Sequence, residues 1–173
     1  MGRIKLKVTD KPAILDAKAA LLLAQDLDRH TNREGSLLVG KVKQRITKMK
    51  KVDQGELRKS ISYETRRNGP RNELKVGPSA KHAIFIHEGT KPHWAPLGSL
   101  LLWAKRVKPK LTPVERTFFA KRVQFKIARY GTEAHPFLAE VFEEESPNVR
   151  DRFHGEVRKI LKNRFNLSLG STA

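Results

Sequence analysis

The chain has no cysteine. Disulfides, thiol catalysis and cysteine-bound zinc are therefore excluded. It also lacks any apolar run near the ~20 residues of a membrane-spanning helix. The longest run, "AALLLA" at 19–24, is far too short. The opening "MGRIKLKVTD" alternates charged and apolar side chains, without the apolar core of a signal peptide. These features predict a soluble protein, cytoplasmic at synthesis, with no membrane partner. A phosphate-cradling loop is missing too, since "GPSAK" at 77–81 has neither the glycine spacing nor the Gly-Lys-Ser/Thr ending of a P-loop. Acidic charge is scarce: 18 Asp+Glu stand against 36 Lys+Arg, a formal +18. Such an excess attracts polyanions, whether nucleic acid, acidic protein surfaces or anionic lipid. With no recognisable nucleic-acid motif, docking on an acidic protein or non-specific proximity to DNA is the favoured reading.

What is present fits one domain over about 1–165 and a short tail, "NLSLGSTA", at 166–173. Ile4, Leu6 and Val8 alternate with Lys5 and Lys7, a half-buried strand. Thr9 or Asp10 can cap a helix that tolerates Pro12 in its first turn and runs to about Lys51. Ile14, Ala17, Leu21 and Ala24 share one face of it, and Leu38, Val42, Ile46 and Met49 another. Gly35 and Gly40 predict a bend or break near 32–36. Lys41, Lys43, Arg45, Lys48, Lys50 and Lys51 in its second half form a solvated face or, alternatively, a polyanion stripe. Strands are expected from Leu57 through Ile61 and Tyr63 to about Arg67, and through Leu74 and Val76, with the turn "NGP" at 68–70 between them. Ala83 to Ile86 reads as a third strand, which completes an antiparallel meander.

Helical patterns return after the Pro92–Pro96 loop. One covers Ser99 to Val107. The next opens at Thr112-Pro113-Val114-Glu115, a capping box with proline in the first turn, and stops at Gly131. The last opens at Pro136 and runs on past Phe142. Ser146-Pro147 predicts a fresh cap and a break, because proline deep in a helix costs about 3 kcal/mol. Helical spacing then continues through Val149, Phe153, Val157, Ile160 and Leu161 to about Phe165.

Candidate chemistry is thin. Serines and threonines sit in no nucleophile motif. Glu143, Glu144 and Glu145 are consecutive, so on a helix they diverge and read as a solvated acidic turn near a helix end. The most suggestive stretch is "IFIHEGTKPHWAP" at 84–96, where His87, Glu88 and His93 raise the possibility of a metal-dependent hydrolase. On a strand, however, His87 and Glu88 point to opposite faces, and so do His82 and His87. Gly89, directly after the apolar run, suits a positive φ or a close backbone approach, and sets the exit from the sheet. Trp103, on an apolar helix, reads as a core plug. Trp94, in a Pro-flanked loop with Pro92, His93 and Pro96, reads as an interface anchor, with His93 and Trp94 facing a neighbour.

Three segments follow in a particular order: "VDQGELRKSI" (52–61), "KVGPSAKHAIFIHEGT" (75–90) and "GTEAHPFLAEVFEE" (131–144). In this the chain resembles the tail-completion, or head–tail joining, proteins of tailed bacteriophages, a family of minor tail and virion morphogenesis proteins. The residues that carry the resemblance are Gly55, Leu57, Ser60 and Ile61; Glu88, Gly89 and Thr90; and Pro136, Phe137 and Leu138. Gln54 stands where the pattern has threonine, and a helical insertion at about 91–134 brings a second Gly-Thr, Gly131-Thr132, just before Pro136. The resemblance implies an α+β fold: a small antiparallel sheet packed against a long N-terminal helix and a C-terminal helix. It implies a structural role without enzymatic activity or cofactor. The expected partners are further copies of the chain in a ring, commonly a hexamer, and the adjacent neck and tail proteins, with genomic DNA passing through the lumen. The expected location is the virion, at the head–tail junction or the top of the tail, after assembly in the host cytoplasm. The rival expectation is a basic nucleic-acid-binding protein acting in DNA packaging or condensation.

Overall fold

The computed structural model describes residues 3–6, 17–49, 55–68 and 71–165. In chain order the elements are β1 (Arg3–Leu6), α1 (Ala17–Lys48), α2 (Glu56–Lys59), β2 (Ile61–Asn68), β3 (Arg71–Pro78), α3 (Ala83–His87), α4 (Leu97–Val107), α5 (Pro113–Tyr130) and α6 (Phe137–Phe165). The class is α+β, with a small antiparallel sheet, a long N-terminal helix and a C-terminal helix, as expected. The expected tail at 166–173, Val8, the Thr9/Asp10 cap, Pro12, Ile14, Lys50, Lys51 and most of the "NGP" turn lie outside the described residues. The chain divides into two compact units. One is Met1–Gln44, Ile61–Gly77 and Leu138–Ala173; the other is Arg45–Ser60 and Pro78–Phe137.

In the first unit the sheet order is β1-β3-β2. The strand β1 runs antiparallel to β3 with Arg3 opposite Lys75 and Leu6 opposite Asn72. The third strand is thus the N-terminal one, and the expected meander is corrected. Residues 83–87 are helical, closed by Phe85 N–H to His82 O and Glu88 N–H to Ile84 O. A five-residue apolar run does not distinguish helix from strand by periodicity, and here Ala83 is buried while Ile84 and Phe85 are exposed. Leu57 is likewise in the short helix α2, not in a strand. In β3 the alternation holds: Leu74 and Val76 are buried and Lys75 between them is exposed.

The helix α1 is continuous over 32 residues, about 48 Å at 1.5 Å per residue. The predicted break near 32–36 is absent. Gly35 is buried against the ring of Tyr63, where a Cβ would collide with the ring carbons. The glycine is there for packing, and its cost of roughly 1 kcal/mol in helix propensity is offset by the close approach of β2. Around it, Ser36 meets the Tyr63 hydroxyl at 3.4 Å, Thr65 bonds Asn32 at 3.2 Å, and Asp28 accepts from Arg67 and Asn72. Leu38 and Val42 carry the apolar face, whereas Leu21 is 56% exposed.

The helix α6 is also unbroken, and Pro147 lies inside it. Proline removes one N–H and frees the carbonyl of Glu143, but both residues are on the exposed side, where water can satisfy that carbonyl. Buried Val141, Phe142, Val149, Phe153 and Ile160 hold the helix on both sides of the proline.

Between these two helices runs a partly buried ionic cluster. Glu34, only 2% exposed, accepts both nitrogens of the Arg152 fork, at 2.9 and 2.7 Å. Arg152 also stands 3.7 Å from Glu145, which pairs with Lys41 at 3.3 Å. Glu145 is therefore buried and paired, not part of a solvated turn. His30 completes the cluster. Its Nε2 is 3.8 Å from Glu34, and its ring packs on Phe153 at 5.4 Å. Burial pushes the His30 pKa down, although nearby Glu34 pulls it up. The unfolded chain then binds a proton more readily than the folded one as the pH drops below about 6.5. Stability from His30 is fully present above that pH and lost as the pH falls. We expect the thermal midpoint to drop on acidification from pH 7.5 to 5.5, and the His30→Phe variant to drop less. Equal slopes in the two proteins would contradict this reading.

Candidate functional site

In the second unit, α5 starts as its sequence dictates. The Thr112 hydroxyl accepts from Glu115 N–H, and the Glu115 carboxylate accepts from Thr112 N–H at 2.8 Å, with Pro113 following the cap. The Thr112 N–H and the Thr112 hydroxyl both donate to the Glu115 carboxylate, and these two bonds, backbone first, hold its pKa below the usual range. At the other end Gly131, φ 73°, stops the helix with its N–H on Ile127 O. The helix α3 is capped by Glu88, whose N–H bonds Ile84 O, and Gly89 follows at the same φ of 73°.

The two Gly-Thr pairs that end these helices bond to each other. Thr90 and Thr132 form an isolated antiparallel bridge, each N–H donating to the other's carbonyl at 3.1 Å. Their hydroxyls meet at 3.0 Å. Three residues beyond each threonine the pattern repeats. His93 N–H reaches Ile127 O in the last turn of α5, and His135 N–H reaches Ile86 O in α3. Each helix end is thus closed by the strand that leaves the other. A Cβ on Gly131 would overlap the Thr90 carbonyl oxygen, and one on Gly89 the Thr132 carbonyl oxygen. Gly89-Thr90 sets the exit from a helix, not from a sheet. Its partner is the second Gly-Thr of the same chain.

The remaining motif residues are divided between the two units, with Ile61 and Leu138 in the first. Gly55 adopts φ 74° ahead of α2, and Ser60 Oγ donates to Leu57 O at 2.8 Å. Leu57, Ile61, Phe137 and Leu138 are buried, while Glu88 and Pro136 are exposed. His87 meets Phe137 edge-on at 5.2 Å, and His93 Nδ1 lies 2.9 Å from Lys91 O. His87, Glu88 and His93 are not brought together. Among the described residues no three His, Asp or Glu side chains form a group that could hold a metal ion. Beside the clasp is an open groove of about 790 Å³ lined by Phe85, Ile86, Pro92, His82, His93 and His135, among others. The two threonine hydroxyls on its wall are bonded to each other, so what the groove presents is mainly apolar contact surface.

Pro92, His93, Trp94 and Pro96 are all exposed, Trp94 to 64%. Trp94 leans edge-on against Phe125 at 5.3 Å. Trp103 is half-buried and stacks on Phe119 at 5.6 Å. The proposed lysine face is less uniform than its letters. Lys41 pairs with Glu145, Lys43 and Arg45 have partners of their own, and Lys48 is exposed.

A feature missed in the sequence dominates this unit. Ala83, Ala95, Ala104 and Ala120 make up most of its buried apolar positions, whereas Ile84, Phe85, Trp94, Leu102, Val114, Phe118, Phe125 and Tyr130 are each more than half exposed. On α5, Val114, Phe118 and Phe125 fall at i, i+4 and i+11, on the side opposite buried Ala120. That spacing was visible in the letters, but the apolar residues on the other side of the same helix, Phe119, Val123 and Ile127, masked it. Charge concentrates here too. Residues 45–60 and 78–137 hold 17 Lys+Arg against 5 Asp+Glu. No helix among the described residues is long and apolar enough to cross a membrane. Comparison of the chain with protein-family models, curated proteins and solved structures finds no match.

Proposed function

We propose that this chain is a structural virion protein of a tailed bacteriophage, forming a ring in the neck or tail-completion complex that joins head to tail around the DNA channel. The observation that carries the reading is the exposure of eight large apolar side chains in the second unit, while four of its seven buried apolar positions are alanines. A surface with so many exposed aromatic and aliphatic groups fits a subunit that is completed by neighbours. The ordered motifs support the family assignment, since two of their glycines, Gly55 and Gly89, stand at positive φ and Phe137 is fully buried. In a ring each contact is heterologous, one patch meeting a different patch on the next copy. The partners are then further copies of the chain and the adjoining neck and tail proteins: an adaptor or stopper on one side, a tail terminator or tube on the other. No cofactor or catalytic step enters this role. DNA is a neighbour in the lumen.

Native mass spectrometry of the purified protein with its neck partners, and micrographs of particles made without it, test the proposal. A ring of fixed copy number and unjoined heads and tails are expected. A monomer under all conditions together with normally joined particles would refute it. The rival reading, a nucleic-acid-binding protein, draws on the charge of the second unit. It predicts tight duplex binding that falls steeply with salt, whereas a structural ring holds duplex weakly at physiological salt.

A further inference from the structure

The outward face of α5 has a specific chemistry. Between Phe118 and Phe125, which are 66% and 61% exposed, stand Lys121 and Arg122, both exposed, and Arg129 follows on the same side. Seven residues of helix place the two rings about 10 Å apart. From 97 to 132 there are nine Lys+Arg and one acidic residue, Glu115, whose carboxylate is held in the helix cap. Such a face repels a second copy of itself. A bilayer is a poor match, because the cationic pair interrupts the apolar stripe at its middle. Single-stranded nucleic acid would stack on aromatic rings, yet Val114 offers nothing to stack on and Trp94 already packs against Phe125.

We infer that this face docks an acidic amphipathic helix of a partner protein. Apolar side chains seven residues apart on that helix would meet Phe118 and Phe125, and carboxylates between them would meet Lys121 and Arg122. Docking of an amphipathic helix through spaced anchors is a common recognition mode, and complementary charge fixes its register. The inference deepens the assembly reading and rests on it in one respect, that a protein partner exists. The two fail separately, because ring formation and helix docking are measured independently.

The test titrates the full-length protein with a synthetic helical peptide carrying leucines at seven-residue spacing and glutamates between them. A Glu→Gln version of the peptide, oligo-dT and phosphatidylglycerol vesicles run beside it. Saturable binding of the acidic peptide is expected, weaker by about tenfold or more for the Gln version and for a Phe118→Ala/Phe125→Ala variant. Both phenylalanines are more than half exposed, so that variant should stay folded, its thermal midpoint lowered only by loss of the Trp94–Phe125 contact; Phe118→Ala alone, which leaves that contact in place, should also weaken binding. A Lys121→Glu/Arg122→Glu variant should lose the acidic peptide and take up one with lysine in place of glutamate. The inference is overturned if the Gln peptide binds as well, if the variants bind like the wild type, or if oligo-dT or vesicles displace the peptide.

Discussion

Replacing Gly131 with alanine is expected to destabilise the second unit by about 4 kcal/mol or more, summing backbone strain and lost bridge bonds. Gly131 has φ 73° and ψ −158°, a region that side chains essentially never enter. The added Cβ would overlap the Thr90 carbonyl oxygen and lie 2.9 Å from the carbonyl carbons of Thr90 and Lys91. These are backbone atoms, so no rotamer change relieves the collision and the Thr90–Thr132 bridge has to open. Gly89→Ala attacks the same bridge from the other side. The double variant should therefore cost less than the sum of the two singles. Gly98→Ala is the control, since nothing lies within 4 Å of a Cβ there. Both tryptophans, Trp94 and Trp103, are in the second unit, so their fluorescence during urea unfolding reports on it. A Gly131→Ala midpoint within error of Gly98→Ala would rule out the clasp as a stabilising element.

The clasp also shows where reading the letters stops. Each Gly-Thr was visible, and a positive φ at Gly89 follows from a glycine after an apolar run. That the two dipeptides pair with each other depends on two helix ends meeting, which no local pattern encodes. The start and stop of α5 were legible because a capping box and a terminal glycine act within one turn. The strands β2 and β3 were legible because Leu74 and Val76 alternate with charged residues. Gly35 and Pro147 misled for a common reason. Both are helix breakers by propensity, and both are tolerated here by what surrounds them: the Tyr63 ring in one case, solvent on the exposed side in the other. The run at 83–87 was too short for its period to separate helix from strand, and the argument that split His87 from Glu88 rested on the strand. The outcome for those two is still separation, with His87 against Phe137 and Glu88 exposed as the cap of α3.

Least legible of all is the Glu34–Arg152 pair, 118 residues apart in sequence, and its disruption is the other large effect we expect. Arg152→Met keeps an unbranched apolar stem and removes the cation. The Glu34 carboxylate is then left buried without its forked partner. Breaking a buried pair from one side costs about 3–5 kcal/mol. Because 38% of the Arg152 side chain is open to solvent, we expect the lower end, about 3 kcal/mol at pH 7.5. Glu34→Gln should cost less, since Arg152 can turn toward water and Glu145. The cost of Arg152→Met should also depend on pH. In the native protein Arg152 opposes protonation of His30, and Glu34 favours it. Burial still holds the His30 pKa down, but without Arg152 the folded variant takes up a proton on His30 more readily than the wild type. The variant therefore loses less stability on acidification than the wild type does. Urea unfolding of both proteins at pH 7.5 and 5.5 should show the gap between them narrowing at the lower pH. A gap that is pH-independent, or a variant as stable as the wild type at pH 7.5, would mean that the cluster contributes little beyond filling space.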